Sequence, residues 1–326
     1  TGQGVLWRAP LPAWSNGSPI ASGDRIFVTS EPTDLVAVAA NDGRVVWRRS
    51  VQVIDALPQG EADRVKVLLD QAEGVAARLR QAQKAHRRLL RKARKAKGAE
   101  KEAAATALQA AGSEIAELQV QLEATRPYRL GPRGDTIGYA SSTPVSDGRS
   151  VYAVFGHGVV ASYTHAGKRR WARWMGEPHV PMRGNPEGHA ASPVLVGGRL
   201  IVGLRLLHGL DPATGDVEWR AGVYDDFGTP VALQVAGQAE IATPGGEVHR
   251  ASDGALLAKA DADLYYAGPV QDGARLYFVG STSSDTADHA SVATAFATDD
   301  LNASGAKVAP IWRTPLGVEP YYATAL

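Results

Sequence analysis

The densest chemistry in the sequence is cationic. Lys84, Arg87, Arg88, Arg91, Lys92, Arg94, Lys95 and Lys97 are eight cations within fourteen residues, with no acid among them. Such a run suits electrostatic contact with an acidic protein surface, anionic lipid or nucleic acid, or simply a solvated helix end. The positions read as surrounding a helix rather than forming one stripe. No aromatic residue lies between 61 and 127, so base stacking is not expected. A second set is aromatic or polar: Trp14, Tyr139, His189, Asp226, Phe227, Tyr266 and Tyr322. Aromatics with a few polar groups line small-molecule sites, and equally they plug a core. Asp225 and Asp226 have the oxygen chemistry for a hard cation, or for a solvated turn. His157, His165, His179, His189 and His208 are scattered, with no HExxH spacing, and no phosphate-binding glycine loop or G-x-S-x-G elbow occurs. No catalytic residue and no metal ligand is assigned.

The elements that carry these residues are of two kinds. The chain has 326 residues, is 44% hydrophobic and has a net charge of +1, which excludes global disorder and an overall basic character. It has no Cys, hence no disulfide framework, thiolate metal site or cysteine nucleophile. No apolar run reaches the roughly 18–20 residues of a membrane span, and no N-terminal signal pattern is present, so an export signal is expected to have been removed.

A Ser/Thr-Pro-apolar triplet recurs at Ser18-Pro19-Ile20, Thr143-Pro144-Val145, Ser192-Pro193-Val194 and Thr229-Pro230-Val231. Gly268-Pro269-Val270 is a variant, and Thr324-Ala325-Leu326 looks like a sixth copy cut short. Each full copy is followed by a Gly-containing turn, a β-branched or aromatic run, a third apolar run, and a second turn. That second turn leads to Trp47, Trp171 and Trp219, and to Trp312 after an expanded loop; the fourth copy ends in Leu256-Leu257-Ala258 without a Trp. Four short hairpin-linked strands repeated at this spacing predict an all-β fold, a β-propeller of four-stranded blades. The Trp is expected to wedge between blades. An antiparallel sandwich would not need the same turn and Trp at each period.

The stretch Leu210-Asp211-Pro212-Ala213-Thr214-Gly215-Asp216-Val217-Glu218-Trp219 resembles the quinoprotein-type, or PQQ-like, propeller repeat with its tryptophan-docking motif, supported by the copies ending at Trp47 and Trp171. The resemblance covers about 250 residues. It implies an exported protein, in the periplasm or at the cell surface. The family's alcohol dehydrogenases pair an adjacent Cys couple and a calcium site with pyrroloquinoline quinone, and the family also includes non-enzymatic scaffolds. Without Cys, this chain resembles the scaffold branch: no cofactor is expected, with quinone and calcium, or another small ligand, as the alternative. In such a propeller the loops before each first strand share one face, so the aromatic set would ring the channel mouth. Five blades are readable. Gly4 to Arg8 looks like an isolated fourth strand with its own Trp7, so the ring is expected to be incomplete in this chain, as in a fragment of a longer protein.

Between Trp47 and Trp171 the spacing is expanded by a segment rich in Ala, Gln, Glu, Lys and Arg. Val65, Leu68, Ala72, Val75, Leu79, Ala82, His86, Leu89, Ala93 and Ala96 keep a 3–4 alternation, and Ala104, Leu108, Ala111, Ile115, Leu118 and Leu122 form a second series. Gly98 is expected to terminate the first helix. The expectation is an inserted antiparallel coiled-coil hairpin over 55–127, between a closing strand and first blade over 1–54 and the remaining blades over 128–326. At 1.5 Å per residue, ~30 residues extend about 45 Å. The functional expectation is a non-catalytic scaffold binding a protein partner, with the basic residues as the contact. An anionic surface is a further candidate, and neither base-specific nucleic-acid binding nor a transmembrane segment is expected.

Overall fold

The computed structural model describes residues 4–130, 137–177, 189–224, 227–264, 266–281, 291–302, 305–317 and 324. Two compact units emerge: Thr1–Gln52 with Pro132–Leu326, and Val53–Gly131.

The first unit is built of blades. Blade 1 is β1 (Ile20–Ser22), β2 (Arg25–Ser30), β3 (Asp34–Ala39) and β4 (Val45–Ser50), antiparallel in sequence order. Blade 2 is β5 (Val145–Ser146), β6 (Ser150–Phe155), β7 (Val159–Thr164) and β8 (Arg169–Trp174). Blade 3 is β9 (Val194–Val196), β10 (Arg199–Leu210) and β11 (Val217–Tyr224). Here the expected second and third strands run on as one element. Its first part pairs with β9 and its second with β11, and Arg205, at φ +59°, stands where the turn was expected.

Blade 4 is β12 (Val231–Val235), β13 (Gln238–Ala242), β14 (Glu247–Arg250) and β15 (Leu256–Ala260). Blade 5 is β16 (Val270–Asp272), β17 (Arg275–Ser281), β18 (Ser291–Ala297) and, beyond the short β19 (Ala306–Val308), β20 (Trp312–Gly317). Among the described residues no ladder joins blade 5 to blade 1.

Side chains alternate along a strand, so each blade must bury both faces. In β10, Leu200, Val202 and Leu204 pack with Tyr152, Val154 and Val160 of blade 2, whereas Ile201 packs with Ile241 of blade 4. Leu233 and Val235 of blade 4 likewise share a core with Leu276, Phe278 and Phe296 of blade 5. The hydrophobic core therefore lies in the seams between blades, which is why a single blade has no stable fold of its own.

The Trp residues lock these seams. Trp7 donates its indole N–H to Ala40 O (2.9 Å), Trp47 to His165 O (2.8 Å), Trp171 to Pro212 O (3.0 Å) and Trp219 to Ala251 O (3.1 Å). Each ring also lies on a glycine of the turn it bonds, Gly43, Gly167, Gly215 and Gly254 respectively, all at positive φ. Only glycine serves there: the φ disfavours other residues, and a Cβ would penetrate the ring. Arg49 and Arg173, two residues after their Trp, reach the same turns, at Gly167 O (2.7 Å) and Thr214 O (3.3 Å).

Blade 4 solves the seam differently. Its β-bulge falls at the place of a bulge in each of blades 1 to 3, and there Ala258 occupies the position that Trp47, Trp171 and Trp219 hold in those blades. The expanded loop of blade 5 fills the space. Its β19 pairs in parallel with β15, Ala258 opposite Ala306, and Leu301 from the same loop is fully buried in the blade 4–5 core. A backbone ladder thus replaces an indole. Trp312 remains 39% exposed.

In the second unit, α1 (Gln59–Ala93) and α2 (Ala99–Glu123) pack along one another as a hairpin. Each residue of the two expected apolar series is partly or fully buried. Gly98 does not end α1. That helix stops at Ala93 with Arg94 as its cap, and Gly98, at φ +58°, caps the N-terminus of α2. No described helix is long and apolar enough to cross a membrane.

Candidate functional site

The Ser/Thr-Pro triplets are explained by a relay of hydroxyls from blade to blade. The amide of Ser18 donates to Thr143 Oγ1 (3.0 Å), that of Thr143 to Ser192 Oγ (2.9 Å), and that of Ser192 to Thr229 Oγ1 (3.0 Å). Gly268 has no hydroxyl to continue it, and its Cα lies so close to Thr229 O that a side chain would clash. The relay resumes where the Gly268 amide donates to Thr324 Oγ1 (3.0 Å), so Thr324 holds the position of the other triplets' hydroxyl residue. The following Pro has no N–H and a fixed φ, which suits the start of a strand.

Just before these triplets lie the residues expected at the channel mouth. Trp14 is 41% exposed and crosses Gly138, whose Cβ would stand 2.7 Å from the ring. Tyr139 is buried, with its ring edge-on to His157 (centroids 6.2 Å apart). The turn between β2 and β3 contributes Glu31, a fully buried carboxylate that accepts the Tyr139 and Ala140 amides at 2.6 Å each. His189 is half-buried; its amide reaches Gly156 O at 3.5 Å, and the Gly156 amide donates to Tyr139 O at 2.8 Å. Phe227 and Tyr266 stack, with centroids 5.6 Å apart and planes at 9°. Trp14 with Tyr139, Tyr139 with His189, and Phe227 with Tyr266 are therefore brought together, the middle pair through Gly156. Asp226 and Tyr322 lie outside the described residues, as does most of the Met175–His189 loop.

Electrostatically this end is neutral at His. Burial pushes the pKa of His157 and of His189 down to about 4, against weaker backbone hydrogen bonding at Val51, Phe155 and Ala191 that pulls the other way. Among the described residues Glu31 Oε2 is enclosed without a hydrogen-bond partner. Among the described residues no group of three or more His, Asp or Glu side chains is placed to hold a metal ion.

Two clefts lie elsewhere. One, of about 540 Å³ beside the β15–β19 ladder, is lined by cations and acids that pair with one another: Lys307 with Asp261 (3.0 Å) and Lys259 with Glu247 (3.8 Å). The other, of about 400 Å³, holds His208 and the Arg173–Asp216 pair (2.8 Å). Neither includes a channel-mouth residue.

On the hairpin, Lys84, Arg87, Arg88, Arg91, Lys92, Arg94, Lys95 and Lys97 are all exposed. The expectation that they surround the helix is overturned. Because α1 continues to Ala93, the spacing Lys84, Arg87, Arg88, Arg91, Lys92 falls on successive turns of one side.

Glu31 and the Trp–Gly pairing across blades were missed from sequence. The second had a signal: Gly43, Gly167 and Gly215 each stand four residues before a Trp.

Antiparallel blades of mostly four strands, with Trp7, Trp47, Trp171 and Trp219 each docked on the glycine turn of the following blade, define a PQQ-like β-propeller. A family model described as outer membrane protein assembly factor BamB matches residues 1–185. The chain belongs to that family. No curated protein matches the sequence. Among solved structures, BamB from Moraxella catarrhalis has 15% identity and a TM-score of 0.52, with 95% of this chain and 66% of that one covered. A europium-containing methanol dehydrogenase has 8% identity and a TM-score of 0.51, with 95% and 63% covered. At these identities the likeness is one of fold, and the chain spans just under two thirds of each.

Proposed function

We propose that the protein is a non-catalytic propeller scaffold that binds a protein partner, with the basic helical hairpin as a contact arm. The observation that carries this reading is where the distinctive residues are used. Trp, turn glycine, triplet hydroxyl and Glu31 are all engaged in blade-to-blade contacts, which stiffen a surface. The eight clustered cations from Lys84 to Lys97, in contrast, have no ion-pair partner among the described residues. The family's description, an outer membrane protein assembly factor, supports a role in handling other proteins at the envelope, in the periplasm or at the cell surface. Affinity capture from envelope extract, with the full chain and with a variant lacking residues 60–126, tests this. The reading requires a protein captured in stoichiometric amount by the full chain and a marked loss of capture without the hairpin, the propeller melting as before. Equal capture by both would remove the arm from the account, and unfolding of the propeller would make the hairpin structural.

A second reading, a propeller that binds a quinone or another small ligand, is favoured by one feature. The stacked Phe227–Tyr266 pair is half-buried at the start of two blades, and aromatic pairs of this kind line small-molecule sites.

A further inference from the structure

We infer that the side of α1 facing away from α2 docks on the surface of an anionic lipid bilayer. This goes beyond the contact-arm reading: it assigns these cations to lipid and leaves a protein partner to the rest of the hairpin. At about 100° per residue, Arg80, Lys84, Arg87, Arg88, Arg91 and Lys92 fall within an arc of about 140°. The partly or fully buried Ala82, Leu89 and Ala93 occupy the opposite side. The six cations extend about 18 Å along the helix. All are exposed, and among the described residues none is in an ion pair. There is no Asp or Glu between Glu73 and Glu100, and α2 has none between Glu102 and Glu114.

The composition of this side selects the partner. A large folded-protein interface draws on a desolvated aromatic centre; here Gln81 and Ala85 stand among the cations, the exposed apolar neighbour is Leu90, and no aromatic occurs from 61 to 127, so a protein partner of the arm would seat beside this side rather than on it. Single-stranded nucleic acid needs stacking platforms, which the same absence removes. A planar array of phosphates needs neither. It asks only for several Lys and Arg on one side of a helix, each contributing independently to attraction. Four of the six are Arg, whose guanidinium pairs with phosphate through two parallel N–H donors.

Co-sedimentation of the full chain with vesicles tests the inference. One set is phosphatidylcholine alone, and the other contains phosphatidylglycerol as a third of the lipid. Binding is expected to the second set only, to weaken steeply as salt rises, and to fall roughly 100-fold in the triple variant Lys84→Glu/Arg88→Glu/Arg91→Glu. The milder Lys84→Gln/Arg88→Gln/Arg91→Gln variant, with unchanged far-ultraviolet circular dichroism, should lose affinity in the same direction. No preference for the anionic vesicles, or equal binding by the variants, overturns the inference. So does tighter binding to a short DNA duplex than to vesicles, which would reassign the surface to nucleic acid. These outcomes are separate from partner capture, which is scored on protein alone.

Discussion

Trp47 and Gly167 are 120 residues apart in the chain, yet the indole lies flat on that glycine and bonds the carbonyl of His165 two residues earlier. Their contact spans the inserted hairpin in sequence and joins blade 1 to blade 2 in space. Gly167 sits at φ +82°, and a Cβ there would stand 2.8 Å from Trp47 Cγ. Gly167→Ala should therefore cost about 2–4 kcal/mol, the left-handed backbone penalty plus overpacking. Gly148, at φ +85° with nothing near its absent Cβ, is the control. Gly148→Ala should cost only about 1–2 kcal/mol. Urea unfolding of the two variants checks the difference.

The hydroxyl relay predicts a smaller, chemically specific effect. Ser192→Ala removes the acceptor of the Thr143 amide and should destabilise by about 1–2 kcal/mol. Ser192→Thr keeps the hydroxyl and should restore most of that. Equal stability of all three proteins in chemical denaturation would remove the relay from the account.

At the blade 4–5 seam, β19 occupies the space that an indole fills elsewhere. Ala258→Trp should therefore not improve the blade, although it restores the repeat's consensus position; the overpacked ring should cost about 1–3 kcal/mol or more. Leu301→Ala, which empties a fully buried position in the same core, should cost about 2–5 kcal/mol. Thermal melting reads both.

Stability should also depend on pH in two opposing ways. Glu240 is fully buried, and among the described residues neither carboxylate oxygen is hydrogen-bonded; burial raises its pKa from 4.5 to about 7, against the pull of Arg250. Its folded state holds the proton more tightly than the unfolded chain, so stability is lost as pH rises from 4.5 to about 7. His157 and His189 do the reverse: with pKa values lowered from 6.5 to about 4, they cost stability as pH falls through that window. Two histidines outweigh one carboxyl below pH 6.5, so the maximum is expected near that value. Glu240→Gln should raise stability by roughly 1–3 kcal/mol at pH 8 and change it little at pH 4. Urea midpoints across this range check the sign.

The blade repeat was legible because its markers are chemically distinct. Trp47, Trp171 and Trp219, the glycines before them and the Ser/Thr-Pro triplets each satisfy a local requirement that few other residues meet. The helical hairpin was legible from its 3–4 apolar period, and each of those apolar positions is at least partly buried. What escaped depends on tertiary placement. Glu31 reads as an ordinary turn acid until the Tyr139 and Ala140 amides are seen to converge on it. The parallel pairing of β19 leaves no periodic mark, because parallel edges form between segments with no shared turn. The basic run appeared to surround a helix because it was read through to Lys97, beyond the end of α1 at Ala93. Within the helix its spacing is that of one side.

Titration of the full chain with pyrroloquinoline quinone and calcium tests the scaffold account most directly, followed by absorbance and melting temperature. The account predicts no saturable change in either. A saturable spectral shift with a matching rise in melting temperature would contradict it and place the chain among the ligand-binding propellers.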